Sequence, residues 1–203
     1  MTRIDMKQTL KSLYRQSSNT PSIVDVSELL FLMVDGAGDP NTTRAYAEAV
    51  EALYSVAYTC KFMLKNRPES ADYAVMPLEG LWWADDMTSF TRADRDAWRW
   101  TMMIVQPEAV TNELFRRGMA QAARKKNLPA LPRLRLERFH EGPAAQILHI
   151  GPYAAEGPTI ERLHQFIASQ GYARRGKHHE IYLSDPRRIA AERMQTIIRQ
   201  PVV

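Results

Sequence analysis

The strongest constraint on the fold is an order of elements that the chain runs through twice. LLFLMVDGAGDPNTTRAYAEAVEAL (residues 29–53) and AQILHIGPYAAEGPTIERLHQFI (residues 145–167) both read as an apolar strand, a turn rich in Gly and Pro, and an amphipathic helix. Further strand-like runs follow each copy: YAVMPLEGLWW (73–83) and WRWTMMIV (98–105) after the first, and HEIYL (179–183) after the second. A strand-helix-strand-strand unit made twice predicts an α+β fold. Two such modules, related by a pseudo-twofold, would set antiparallel strands side by side with the long helices on one face. A ligand pocket is expected between the modules, where concave surface forms readily.

The expected boundaries follow from local punctuation. Residues 1–20 are polar and end in QSSNTP, which predicts a short leader helix and a loop. The remainder, 21–203, reads as one domain, with module one at about 21–107 and module two at about 108–203. Ile23–Val34 reads as one strand-forming run closed by DGAGDP. Asn41 or Thr42 is placed to cap a helix reaching about Lys65, with Tyr46, Val50, Leu53, Tyr54, Ala57 and Tyr58 on its apolar side. The polar segment ADDMTSFTRADRDA (84–97) reads as a long connection between two strands. Residues 111–127 predict a second helix ending before Pro129, Thr159 is placed to cap a third, and Gly171 to end it.

With 203 residues, 45% of them hydrophobic, the chain can bury a core without a disulfide or metal framework. Cys60 is the only cysteine, and His178 and His179 have no second Cys to complete a zinc cluster, so neither a metal nor another cofactor is expected. No stretch approaches the roughly 20 apolar residues of a membrane span, and MTRIDMKQTLKSLYRQ lacks the apolar core of a signal peptide. A cytoplasmic protein with no membrane partner is the expectation. The net charge is only +4. Its basic groups (Arg116–Arg117 with Arg124–Lys126; Arg133, Arg135 and Arg138; Arg174, Arg175 and Lys177) read best as solvated faces, so nucleic acid is not expected as a partner.

Two features could carry chemistry. Trp82–Trp83 end one strand run, and Trp98 and Trp100 lie on the next. Residues two apart share a strand face, so Trp98 and Trp100 point together while only one of Trp82 and Trp83 can line a given cavity. Each Trp alone reads as core; as a cluster they suit an aromatic wall for a planar or cationic ligand. The second feature is HHEIYLSDP, where Glu180, Tyr182 and Ser184 share one face and His179, Ile181 and Leu183 the other. Glu180 is solvated if its face is open to water. If that face lines the concave side, burial raises its pKa and makes it a general base or a counter-ion. Glu79 in MPLEGLWW reads as a comparable position in module one.

The segments PLEGLWW (77–83), HIGPYAAEGPTIERLHQFIASQGY (149–172) and HHEIYLSDPRR (178–188) resemble the GyrI-like small-molecule-binding family, also seen as the drug-sensing domain of multidrug-responsive bacterial transcription activators. The resemblance covers about residues 20–200. It implies two fused strand-helix-strand-strand modules of the SHS2 type, with an aromatic-walled pocket carrying a buried Glu. By resemblance Glu180 is that glutamate, Tyr153 the tyrosine of the Gly-Pro-Tyr turn, and Trp82 or Trp83 the aromatic of the EGLWW segment. The ligand-contact set is then Glu79, Trp82, Trp83, Trp98, Trp100, Tyr182 and Phe139, with Glu180 and Tyr153 as the catalytic pair. The sequence carries no helix-turn-helix region, so a sensor role would need a separate protein partner. Free-standing members with the EGLWW segment resemble the branch that hydrolyses cyclopropane-containing, DNA-alkylating natural products, a detoxification. There Glu180 would deprotonate water, and Tyr153 or Tyr182 would donate to the developing oxyanion. The competing expectation is a non-enzymatic protein that sequesters drugs, or modulates gyrase or a transcription regulator by contact. The oligomeric state is left open.

Overall fold

The computed structural model describes residues 2–67, 71–85 and 95–203. Its elements are β1 (Thr2–Ile4), α1 (Met6–Thr9), α2 (Lys11–Tyr14), β2 (Ser22–Val26), β3 (Leu29–Ala37), α3 (Arg44–Lys65), β4 (Ala71–Tyr73), β5 (Leu78–Trp83), β6 (Arg99–Gln106), α4 (Asn112–Lys125), β7 (Arg135–Phe139), β8 (Gly142–Ile150), α5 (Gly157–Ser169), β9 (His178–Tyr182) and β10 (Gln195–Pro201). Of the polar connection at 84–97, residues 86–94 lie outside the described residues. The fold is α+β, and apart from the short parallel pair β1–β4 the registered strand pairs are antiparallel. The chain divides into two compact units: residues 1–9, 29–76 and 82–139 form the first, and residues 10–28, 77–81 and 140–203 the second.

In unit one, β3 pairs with β6 from Leu30↔Gln106 to Ala37↔Arg99, and on its other edge with β7. The helix α3 packs on β3 and β6, and α4 packs on α3. Its buried residues, Ala49, Ala52, Leu53, Val56, Ala57, Cys60 and Leu64, recur at three- and four-residue steps, the spacing that gathers apolar groups into one stripe. The expected cap at Asn41 or Thr42 is displaced: the helix starts after Thr43, whose side chain makes no capping bond. In α4 the Thr111 side chain does cap, accepting from the Leu114 amide at 3.2 Å, and Glu113 early with Arg124 and Lys125 late suit the helix dipole.

In unit two, β10 lies between β8 and β9, and β2 flanks β8. The helix α5 covers one face through Leu163 and Ile167, packed on Ala145, Ile147, Ile198 and Val202. Gly171 ends it at φ +79°, a left-handed position where a side chain would be strained. The apolar run 23–34 is not one strand. It breaks at Ser27–Glu28, and β2 goes to β8 in unit two while β3 goes to β6 and β7 in unit one. Nor are residues 1–20 a simple leader: β1 pairs with β4, and α2 belongs to unit two. Among the described residues no helix is long and apolar enough to cross a membrane.

Candidate active site

Register alone places the two groups of polar side chains in unit two. Directly paired residues share a sheet face, so Glu180 lies with its partner Ile198, which packs under α5, and Tyr182 lies with Thr196. His179 lies with its partner Arg199, and Arg199 with Gln146, on the opposite face. One strand, β9, therefore serves two separate polar clusters.

On the α5 face, Glu180 keeps 16% of its side chain exposed. Its Oε1 stands 3.1 Å from His178 Nε2, and its Oε2 accepts from the Tyr182 hydroxyl at 2.7 Å. Both donors come from the same strand, two residues either side. Tyr153, 41% exposed in the Gly-Pro-Tyr turn, meets the Tyr182 ring edge-on at 5.6 Å and 78°. That turn is pinned from β8: His149 Nε2 is 3.3 Å from the Pro152 carbonyl and Nδ1 3.0 Å from the Thr159 hydroxyl. A carbonyl only accepts, so the proton in the Pro152 contact is on Nε2. Thr159 is thus spent on His149 rather than on capping. The residue preceding α5 is Glu156, with Pro158 in the first turn.

Glu156 is 5% exposed, and its Oε1 is buried without a hydrogen-bond partner. Burial, and then the charge of Glu180, push the Glu156 carboxyl up to about 9. Burial pushes Glu180 upward too, but His178, by its hydrogen bond and charge, and the Tyr182 hydroxyl outweigh it and hold that carboxylate below its ordinary range. The sequence leaves Glu180 either solvated or, if its face is covered, buried with a raised pKa. The pair instead places the raised value on Glu156, because Glu180 has the donors.

The opposite face carries a network the sequence reading missed. His179, 1% exposed, contacts Glu141 through Nδ1 at 2.9 Å and Glu79 through Nε2 at 3.0 Å. Both partners are carboxylates, so both ring nitrogens donate and the ring is an imidazolium. Burial pushes its pKa down, and Glu141 and Glu79 more than reverse that. Arg199 donates to Glu141 at 3.1 Å, to Gln146 at 3.0 Å and to the Leu13 carbonyl at 3.0 Å, while Gln146 reaches the Ser12 carbonyl at 2.9 Å. The Tyr14 hydroxyl donates to Glu79. Glu141 is held down to about 2: burial opposes its ionisation, and His179 and then Arg199 overcome that. Two acidic and two basic side chains thus meet in one buried network. The readable signal was parity: Gln146 and Arg199 sit among apolar residues of buried strands. Glu141 instead reads as part of a turn.

The remaining candidates fall as follows. Glu79 is 1% exposed, engaged by Tyr14 and His179, and faces away from Glu180. In unit one, Tyr46 from α3 stacks on Trp82 at 6.1 Å and meets Trp100 edge-on at 5.4 Å, and Trp82 meets Trp98 at 5.7 Å. Trp100 is fully enclosed over Gly36, its Nε1 donating to the Gly38 carbonyl at 3.3 Å. Trp82 is buried, Trp83 and Trp98 are half-buried, and Phe139 packs edge-on against Phe31 at 6.3 Å. Among the described residues no three His, Cys, Asp or Glu side chains are grouped to hold a metal ion.

The sequence matches the GyrI-like small molecule binding domain over residues 19–202. Among solved structures, an uncharacterized conserved protein from Listeria innocua is 40% identical, with a TM-score of 0.91 over 98% of this chain and 100% of that one. A structure described as a hydrolase from Listeria innocua is 40% identical at TM-score 0.85, over 98% and 100% of the two chains. A third, described as a hydrolase encoded by lin2189 from the same organism, is 40% identical at TM-score 0.85 over 100% of both. No curated protein matches the chain. With the family match spanning nearly the whole sequence, the chain belongs to the GyrI-like small-molecule-binding family.

Proposed function

We propose that this protein hydrolyses an electrophilic ring in a planar aromatic small molecule, a strained cyclopropane conjugated to a dienone, with Glu180 as the base. The observation that carries the reading is a mostly buried carboxylate, 16% exposed, held between His178 at 3.1 Å and the Tyr182 hydroxyl at 2.7 Å. Water held at Glu180 gives up a proton to the carboxylate as its oxygen bonds the ring carbon. The carbon–carbon bond opens, and its electron pair moves through the dienone to the carbonyl oxygen. That oxygen takes a proton from a phenol. Tyr153 suits this step because it is 41% exposed and packs against Tyr182, and the proton taken up by Glu180 returns to the phenolate through solvent. The net change is addition of one water, which needs no cofactor. Two relatives described as hydrolases, each 40% identical, support the reaction class.

The test is incubation with a cyclopropane-fused cyclohexadienone alkylator, with mass spectrometry for the product one water heavier. Glu180→Gln keeps the side-chain size and removes the base, so turnover should fall by about 100-fold or more while binding persists. Unchanged turnover in that variant overturns the assignment of the base. If the unmodified protein binds the probe tightly and yields no product, the protein sequesters its ligand instead.

A further inference from the structure

The helix α3 carries aromatic rings where a surface helix ordinarily carries charge. It packs on β3, β6 and α4, with Val56 and Cys60 at the centre of its buried stripe. At about 100° per residue, Tyr58 stands on the far side of the helix from the midpoint of that pair. That position belongs to the polar face of an amphipathic helix. Tyr58 is nevertheless 46% exposed, Phe62 one turn on is 51% exposed, and the rings of Tyr54, Tyr58 and Phe62 stack in series at 6.3 Å and 6.4 Å. Three rings in a row on an outward face form an apolar patch of the kind that marks an interaction surface. Charge says what covers it. Glu51 lies seven residues before Tyr58 and Lys65 seven after. On the helix they stand about 10 Å from Tyr58 in opposite directions, about 20° to either side of it. The stripe therefore has opposite charges at its two ends and an aromatic at its centre.

We propose that this face of α3 is a self-association surface, on which a second copy of the chain lays its own α3 antiparallel about a two-fold axis through Tyr58. That arrangement sets Tyr58 on the partner's Tyr58, Tyr54 on the partner's Phe62 and Glu51 on the partner's Lys65, so each unlike contact is made twice. A parallel arrangement would set Glu51 against Glu51 and Lys65 against Lys65, like charge on like. Within the chain Lys126 bonds Glu51, and Asp72 stands 3.3 Å from Lys65. The Glu51 and Lys65 side chains remain 42% and 43% exposed, so each has room for a second partner. At each end of the pair four charges then alternate in sign: Lys126, Glu51, the partner's Lys65 and the partner's Asp72. With one helix face a side, the buried area falls below about 1,200 Å² in total, the range of weak, reversible complexes.

Sedimentation equilibrium of the full chain tests this. Association should be reversible, with a Kd on the order of 10–100 µM. Tyr58→Glu sets two negative charges together at the axis and should weaken pairing by about 100-fold or more. Glu51→Lys and Lys65→Glu should each weaken it by about tenfold, since either change alone sets like charges at both ends. Mixed one to one, these two variants face each other with opposite charges again, and the heterodimer should be tighter than either variant with itself. All three side chains are exposed, so the fold is kept, which a circular dichroism melt of each variant checks. A protein that stays monomeric to about 500 µM overturns the proposal and leaves the stripe to a partner of another kind. A dimer whose affinity is unchanged in Tyr58→Glu also overturns it, because the copies then meet elsewhere, as does a mixture of the charge variants no tighter than its components.

Discussion

Glu141→Gln should destabilise the protein in a way that depends on pH. The side chain is 2% exposed and lies between His179 at 2.9 Å and Arg199 at 3.1 Å. Its carboxyl takes up a proton at about 2 in the folded protein against 4.5 for the free side chain. At 1.36 kcal/mol per pH unit the difference is about 3 kcal/mol of stability at pH 6. Because the folded value is the lower one, that stability is present above about pH 4.5 and is lost as pH falls through about 2. Removing one partner of a buried ion pair costs about 3–5 kcal/mol, in agreement. The amide cannot restore the contacts, since its NH2 would face an N–H of His179 or Arg199. Urea unfolding at a series of pH values measures the effect: a loss of about 3 kcal/mol at pH 6 that shrinks to about 1 kcal/mol at pH 3. A loss under about 1 kcal/mol at pH 6, or one that does not change with pH, would show that Glu141 is not the ionised centre of the network.

The same network predicts an upper limit. His179 has a raised pKa, so its contribution is complete below its unfolded value of 6.5 and is lost as pH rises through the folded one, which makes pH 4.5–6.5 the range of greatest stability in a Tm profile. Tyr14→Phe removes the hydroxyl donated to Glu79 and should cost about 1.5–3 kcal/mol, read in urea, with faster proteolysis of the segment around α2. Gly36→Ala would place a Cβ 2.0 Å from the Trp100 ring, which is 0% exposed and pairs with Gly36 across β3 and β6. That ring must move, at a cost of about 1–3 kcal/mol in Tm measurements together with a red-shifted tryptophan emission.

The elements were legible where local patterning decides them. The helices at α3 and α4 and the Gly171 boundary act within a turn or two of chain and stand as read, but of the residues expected on the apolar side of α3 only Leu53 and Ala57 are buried and Tyr58 is exposed, because the buried stripe runs through Ala49, Ala52, Val56 and Cys60. The run 23–34 was misread because Ser27–Glu28 carries no strong turn signal and nothing local says that its halves pair with different strands. The caps shifted for a similar reason: Thr159 could serve either its own helix or His149, and only β8 decides which. Strand parity correctly separated Glu180 and Tyr182 from His179 and Ile181. It could not say which face would be covered, or that Glu79 would meet His179 on the side away from Glu180.

The sequence by itself determined the α+β class, the repeated element order, the family, and the presence of a carboxylate and phenol at two-residue spacing on one strand. These follow from periodicity and motif, which survive in one dimension. Only the tertiary structure decided where the protons sit. Glu156 is 24 residues from Glu180 in sequence, and Glu79 and Glu141 reach His179 while Tyr14 and Arg199 bond those two carboxyls, from four other parts of the chain. A carboxyl's charge depends on burial and on the donors within hydrogen-bonding reach, and both are set by which strands and helix ends the fold brings together.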